Sequence, residues 1–123
     1  MNRKGYTLIE MMIVLSIMGI LATMAMPNMQ RAIIRAKEAS LRNTLFVFRD
    51  VIDQYYGDHG QYPISLEELA EKFYIRGVPK DPFTRSASSW IVIPPGEEER
   101  GNVYDVHSGS NLVSLKGIPY NEW

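Results

Sequence analysis

The sequence predicts an α+β chain: a long N-terminal helix packed on a short helix and a small antiparallel sheet. Three observations carry this. From Met11 to Met26 every residue is apolar or small apart from Ser16 and Thr23. After Pro27, apolar residues recur at Ile34, Leu41, Leu45, Phe48, Ile52 and Tyr55, the sevens, fours and threes of an amphipathic helix. Two late runs rich in β-branched and aromatic residues, Ser89–Ile93 and Asn102–Val106, flank a Pro- and Gly-containing segment as two strands of a hairpin would.

Sixteen apolar or small residues from Met11 to Met26 rise about 24 Å as a helix, slightly short of the ~30 Å hydrocarbon thickness. Adding Leu8 and Ile9 makes up the length and brings Glu10 inside the membrane boundary. Acidic residues near the centre of a span cost about 2.5–3.5 kcal/mol on insertion scales, and less near its edge. Glu10 therefore calls for a partner. A cut between Gly5 and Tyr6 would create an α-amino group four residues before it, charged at neutral pH with a reference pKa of about 7.7–8. The pair can form within one helix or between subunits, where it would set axial register. An ordinary secretory signal, with Arg3 and Lys4 ahead of the apolar stretch and a cut after Ala25, is the competing reading. It lacks a clean small-x-small site, and helical patterning continues past residue 27. A permanent single-span anchor leaves Glu10 unexplained.

Pro27 ends the run, removes a backbone donor and predicts a kink or local melting; Gly19 is a second weak point. Orientation is not settled by charge. Arg3 and Lys4 precede the span, but Arg31, Arg35, Lys37 and Arg42 follow it, diluted only by Glu38.

The long helix is expected to run to about Tyr56, with Arg35, Arg42, Arg49, Asp50 and Asp53 off the apolar stripe on a solvated or subunit-facing surface. Gly57-Asp58-His59-Gly60 is a turn signal, which places His59 on a solvated loop. Ser65-Leu66-Glu67-Glu68 has capping-box spacing and opens a short helix to about Phe73, with Leu66, Leu69 and Phe73 facing the long one. Gly77–Pro82 is a proline-fixed connection. A third short strand at Asn111–Leu115 and a tail tied down by Tyr120 and Trp123 complete the chain.

The 123 residues suffice for one modest domain besides the anchor, and a net charge of −1 with scattered basic residues carries no footprint for nucleic acid. Absence of cysteine removes disulfides, thiolate metal sites and thiol nucleophiles. Seven acidic residues between Asp50 and Asp81 are scattered over a helix, a capped turn and loops. No spacing nominates a catalytic pair, so the sequence does not read as an enzyme.

Lys4-Gly5-Tyr6-Thr7-Leu8-Ile9-Glu10, followed by an apolar helix, resembles the type IV prepilin signature shared by pilins and pseudopilins. The resemblance implies that a membrane aspartyl peptidase cleaves after Gly5 and methylates Tyr6, and that Glu10 is the assembly glutamate. It also implies that residues 19–27, between Gly19 and Pro27, are a flexible element in filaments. Tyr6 stands where the family most often has phenylalanine, which keeps the aromatic ring. Tyr62-Pro63 before a capped helix, Val78-Pro79-Lys80-Asp81-Pro82, the hairpin and the Val106–Asn111 loop look like the G-type major pseudopilin of type II secretion systems, as does the lack of cysteine.

That resemblance implies a cleaved leader at residues 1–5, an anchoring and assembly half-helix at 6–27, and a periplasmic pilin-like domain at 28–123. The implied function is a structural subunit of a type II secretion pseudopilus, polymerising from the bacterial inner membrane to drive export of folded proteins. A type IV pilus subunit is the alternative. Implied partners are further copies of the chain, minor pseudopilins, the prepilin peptidase and an assembly platform with its ATPase. Many G-type pseudopilins bind calcium in the loop after the hairpin. Here Ser108, Ser110 and Asn111 occupy it without the usual acidic residues, so no cofactor is required and calcium stays open as a ligand.

Overall fold

A computed structural model describes residues 7–123, so Gly5 and Tyr6 lie outside the described residues. Helix α1 spans Leu8–His59 and contributes to two compact units that divide after Arg35.

In the first unit α1 is the whole of the described structure apart from Thr7. Gly19 and Pro27 both lie inside the helix, and residues 19–27 are helical throughout. Every large apolar side chain from Leu8 to Met29 is exposed.

The second unit, Ala36–Trp123, is built on the amphipathic part of α1. Leu41, Leu45, Phe48, Val51, Ile52 and Tyr55 are buried on one face at helical spacing. They meet Leu66 and Leu69 of α2 (Leu66–Glu71), together with Trp90, Val103, Val106 and Tyr120. Phe48 and Trp90 pack edge to face at 5.2 Å, and the Trp90 indole N–H donates to the Pro79 carbonyl at 2.8 Å. Burying each large side chain contributes about 1.5–3 kcal/mol.

α2 begins as its sequence dictates. Ser65 Oγ accepts from the Glu68 N–H at 3.2 Å, while the Glu68 carboxylate reaches back to the Ile64 N–H at 2.7 Å. The same carboxylate accepts from the Tyr55 hydroxyl at 2.7 Å and pairs with Lys72 at 3.2 Å, which fastens α2 to α1. The helix stops at Glu71, short of Phe73, and Phe73 adopts φ +65° and is 92 % exposed. Its expected place against α1 is corrected: chain reversal after Lys72 turns Phe73 outward, and Tyr74 and Ile75 pack on the core instead.

The hairpin forms, with narrower limits than expected. Strand β1 (Ile91–Ile93) pairs antiparallel with β2 (Asp105–His107), Val92 opposite Val106. Asn102 and Val103 leave the ladder because their N–H groups donate to the Pro63 carbonyl. Gly101 sits there at φ +103°, where a Cβ would lie 2.1 Å from the Tyr62 carbonyl oxygen, so only glycine fits. The third strand is replaced by a single bridge, Val113 to Pro119, around a turn in which Gly117 takes φ +87°. A 3-10 helix, Tyr120–Glu122, ends the described chain, with Tyr120 buried and stacked on Phe83 at 3.8 Å.

Helix α1 also runs past Tyr56 to His59. His59 thus closes the helix rather than standing on a loop, its ring stacked on Tyr55 at 4.1 Å.

Candidate functional site

Two places carry the residues singled out by sequence: the N-terminal turn of α1 and the loop after β2. At the first, Glu10 lies in the opening turn of the helix. Its carboxylate accepts from the Thr7 N–H at 3.4 Å, and Thr7 Oγ1 accepts from the Glu10 N–H at 3.3 Å. This reciprocal arrangement is a capping box, with Glu10 at its third helical position, and a carboxylate there also complements the positive end of the helix dipole. The expected partner amine belongs to Tyr6, outside the described residues.

Further along, Ser16 Oγ donates to the Met12 carbonyl at 2.8 Å and Thr23 Oγ1 to the Ile20 carbonyl at 2.7 Å. The two hydroxyls of the apolar run are thereby satisfied within the helix, as a hydrocarbon surround requires. The helix is long and apolar enough to cross a membrane, and none of its most apolar stretch is buried in the structure. A Cβ at Gly19 would meet nothing, so the helix itself does not require a glycine there.

At the second place, Ser108 and Ser110 are buried and Asn111 is exposed. Ser108 Oγ donates to Asp81 Oδ2 and accepts from the Ser110 N–H at 3.2 Å. Ser110 Oγ accepts from the Leu112 N–H at 3.2 Å, and Ser114 Oγ from the Ile118 N–H at 3.1 Å. Asp81 itself is fully buried and accepts from the N–H groups of Phe83 (2.8 Å), Thr84 (3.4 Å) and Gly109 (3.2 Å) as well. A calcium ion needs six to eight oxygens with free lone pairs turned towards it. Here the Ser108 and Ser110 hydroxyls each accept from a backbone N–H, and four donors converge on the Asp81 carboxylate. Among the described residues no group of three or more His, Asp or Glu side chains is placed to hold a metal ion.

Sequence reasoning missed Asp81, assigning it to a proline-fixed connection; the signal available was an acidic residue in a turn-forming Lys-Asp-Pro context. It also left Arg49 on a solvated or subunit-facing surface. In the structure Arg49 Nε donates to Asp105 Oδ1 at 2.8 Å and Nη2 to the Trp123 carbonyl at 2.6 Å, tying α1 to β2 and the C-terminal segment. Glu38 does the same lower on the helix, accepting from the Leu115 N–H at 3.0 Å and the Tyr120 hydroxyl at 2.9 Å. Burial, reinforced by this hydrogen bond, pushes the Tyr120 phenol up to about 12. His107 Nε2 lies 3.6 Å from Asp105 Oδ2, and its buried Nδ1 has no partner among the described residues. Arg42, Phe46, Arg49, Asp50 and Asp53 line an open groove on the outer side of α1, where Phe46 is 69 % exposed.

Known proteins share both the N-terminal segment and most of the remaining chain. Residues 1–26 match the prokaryotic N-terminal methylation motif. Type II secretion system core protein G of Klebsiella michiganensis is 26% identical over 138 aligned positions, covering 99% of this chain and 94% of that protein. The core protein G of Vibrio cholerae is 28% identical, covering 84% and 79%. The fimbrial protein EcpC of Eikenella corrodens is 39% identical, but over 50% of this chain and 40% of its own length. No solved structure matches significantly. The chain thus carries a prepilin methylation motif and is homologous to core protein G over most of its length, and its N-terminal helix points to membrane anchoring.

Proposed function

From homology to type II secretion system core protein G and from the prepilin methylation motif, we propose that this chain is the major structural subunit of a type II secretion pseudopilus. The observation that carries the reading is an apolar helix exposed from Leu8 to Met29 and headed by Glu10, with Glu10 and most of the stretch inside the segment that matches the motif. A surface of that kind requires either lipid or copies of itself around it.

In this reading the leader is removed after Gly5 and the Tyr6 amine is methylated. The chain first rests in the inner membrane with residues 28–123 in the periplasm, then passes into a filament. Glu10 of one copy pairs with the amine of Tyr6 on a neighbour, which fixes axial register. Gly19 and Pro27 mark the stretch of helix that yields during packing. The groove of Arg42, Phe46, Asp50 and Asp53 faces a further copy, bringing an aromatic anchor between basic and acidic rims. The subunit contributes packing and no catalysis; minor pseudopilins, the prepilin peptidase and an ATP-driven assembly platform are its partners. Matches along nearly the whole chain to core protein G, against half for the fimbrial protein, favour a pseudopilus over a surface pilus.

Intact mass is the first test. The mature protein should begin at Tyr6 and carry one added methyl; a start at Met26 would support a secretory signal instead. A pair of variants isolates the charge. Glu10→Gln keeps an oxygen for the Thr7 N–H, whereas Glu10→Ala removes cap and charge together. Both should be cleaved and both should fail to assemble. Normal filament yield from Glu10→Gln would show that the cap, and not the ion pair, is what assembly needs.

A further inference from the structure

We propose that Asp81 and Ser108 form a lock that closes the loop from Ser108 to Ser114 in the place where a divalent cation would otherwise do so. The lock goes beyond the filament reading and does not depend on it.

Asp81 is fully buried, yet no cationic side chain lies within ion-pair distance of it among the described residues. Its two oxygens are covered by four donors: N–H groups of Phe83 and Thr84 on Oδ1, the Ser108 hydroxyl and the Gly109 N–H on Oδ2. Four donors are about what a carboxylate can accept. Oδ1 therefore shapes its own turn, and Oδ2 reaches 27 residues along the chain to hold the loop. The turn is further fixed by the Arg85 N–H donating to the Asp81 carbonyl at 2.7 Å and the Asp81 N–H to the Ser86 carbonyl at 3.1 Å.

The loop is built to receive that carboxylate. At Gly109 a Cβ would lie 2.0 Å from the Ser89 carbonyl oxygen, so only glycine lets the backbone come close enough for its N–H to reach Asp81. Ser108 then relays the contact, donating to Asp81 and accepting from Ser110, whose own hydroxyl accepts from Leu112. Each of these two hydroxyls accepts from the backbone N–H two residues further on. A cation competing for the Asp81 carboxylate would have to displace these four donors, so closure rests on protein groups.

The test uses the full-length chain in detergent micelles, with heat unfolding and tryptic cutting at exposed Lys116 as readouts. For the unaltered chain, about 5 mM calcium chloride, or EGTA in its place, should move the melting temperature by less than about 1 °C and leave the cutting rate unchanged. Ser108→Ala should raise cutting at Lys116 by about fivefold or more through local opening, and calcium should not reverse it. Asp81→Asn, which sets an amide N–H against donors, should lower the melting temperature by about 10 °C or more. A calcium-dependent rise in melting temperature of several degrees would overturn the proposal. So would unchanged cutting in Ser108→Ala, which remains readable if Asp81→Asn fails to fold. Neither readout involves filaments, so this proposal and the assembly reading fail separately.

Discussion

Replacing Arg49 by methionine should loosen the second unit by about 2 kcal/mol. The change keeps an apolar stem of similar reach and removes the guanidinium. Two good hydrogen bonds are lost, to Asp105 Oδ1 at 2.8 Å and to the Trp123 carbonyl at 2.6 Å; the third, to the Val106 carbonyl at 3.4 Å, is too long to count for much. Hydrogen bonds to charged groups contribute about 1.5–3 kcal/mol each when buried. Arg49 is 41% exposed and Asp105 28%, so water recovers part of each, and surface screening lowers the sum towards about 2 kcal/mol. Asp105 Oδ1 is not orphaned, because it keeps the Val106 N–H at 2.8 Å. For a domain of this size about 2 kcal/mol corresponds to a fall of roughly 8–16 °C in melting temperature. Near-ultraviolet circular dichroism of the full chain in micelles would read it through Trp90 and Trp123. A double-mutant cycle with Asp105→Asn should give a coupling of about 1 kcal/mol. A fall below about 2 °C, or a cycle that adds without coupling, would refute the idea that this contact fastens α1 to the hairpin.

The geometry sets three more outcomes. Hydrogen bonds from the Tyr55 hydroxyl and the Ile64 N–H hold the Glu68 carboxyl below its usual 4.5. Its contribution is therefore complete above that value and fades as pH falls through the lower folded one; Glu68→Gln should flatten the acid limb of a stability–pH profile there. Gly109→Ala should cost about 2–4 kcal/mol in chemical denaturation, because its Cβ would overlap the Ser89 carbonyl. Phe46→Glu should leave unfolding within about 0.5 kcal/mol of the unaltered chain, since the ring is 69% exposed, yet reduce filament yield about fivefold or more. A stable variant that polymerises normally would remove this face from the assembly surface.

Features that depend on neighbours in the chain could be read from sequence. The stripe from Leu41 to Tyr55 is buried as its spacing requires, and Ser65 and Glu68 cap α2 because a capping box needs only four consecutive residues. Residues joined across long separations were not legible. Arg49 finds Asp105 56 positions away, and Glu38 finds Tyr120 82 positions away. Nothing in the helix pattern marks either as more than a polar residue beside the core. Strand limits slipped for a similar reason. Asn102 and Val103 have strand-like neighbours, but the Pro63 carbonyl claims their N–H groups, so cross-strand bonding starts at the Tyr104 N–H to the Ile93 carbonyl and the strand itself at Asp105. Phe73 obeyed a helical period that the chain abandons just before it, at Lys72.

The two units satisfy their polar groups in different ways, and this bears on how a subunit can leave a membrane for a filament. In the first, Glu10, Ser16 and Thr23 all bond within three or four residues of themselves. Such bonds survive whatever surrounds the helix, so lipid can be exchanged for neighbouring helices without breaking any of them. In the second, Asp81, Arg49 and Glu38 bond over 27 to 82 positions and hold the unit together before any neighbour arrives. Cleavage after Gly5 would leave the Thr7–Glu10 cap in place, because both partners lie beyond the cut. In the proposed reading, cleavage would add a positive charge to the helix end while the Glu10 carboxylate keeps its place in the cap. Processing of that kind would change the electrostatics of the helix end and not its fold, as the proposed role of cleavage in assembly requires.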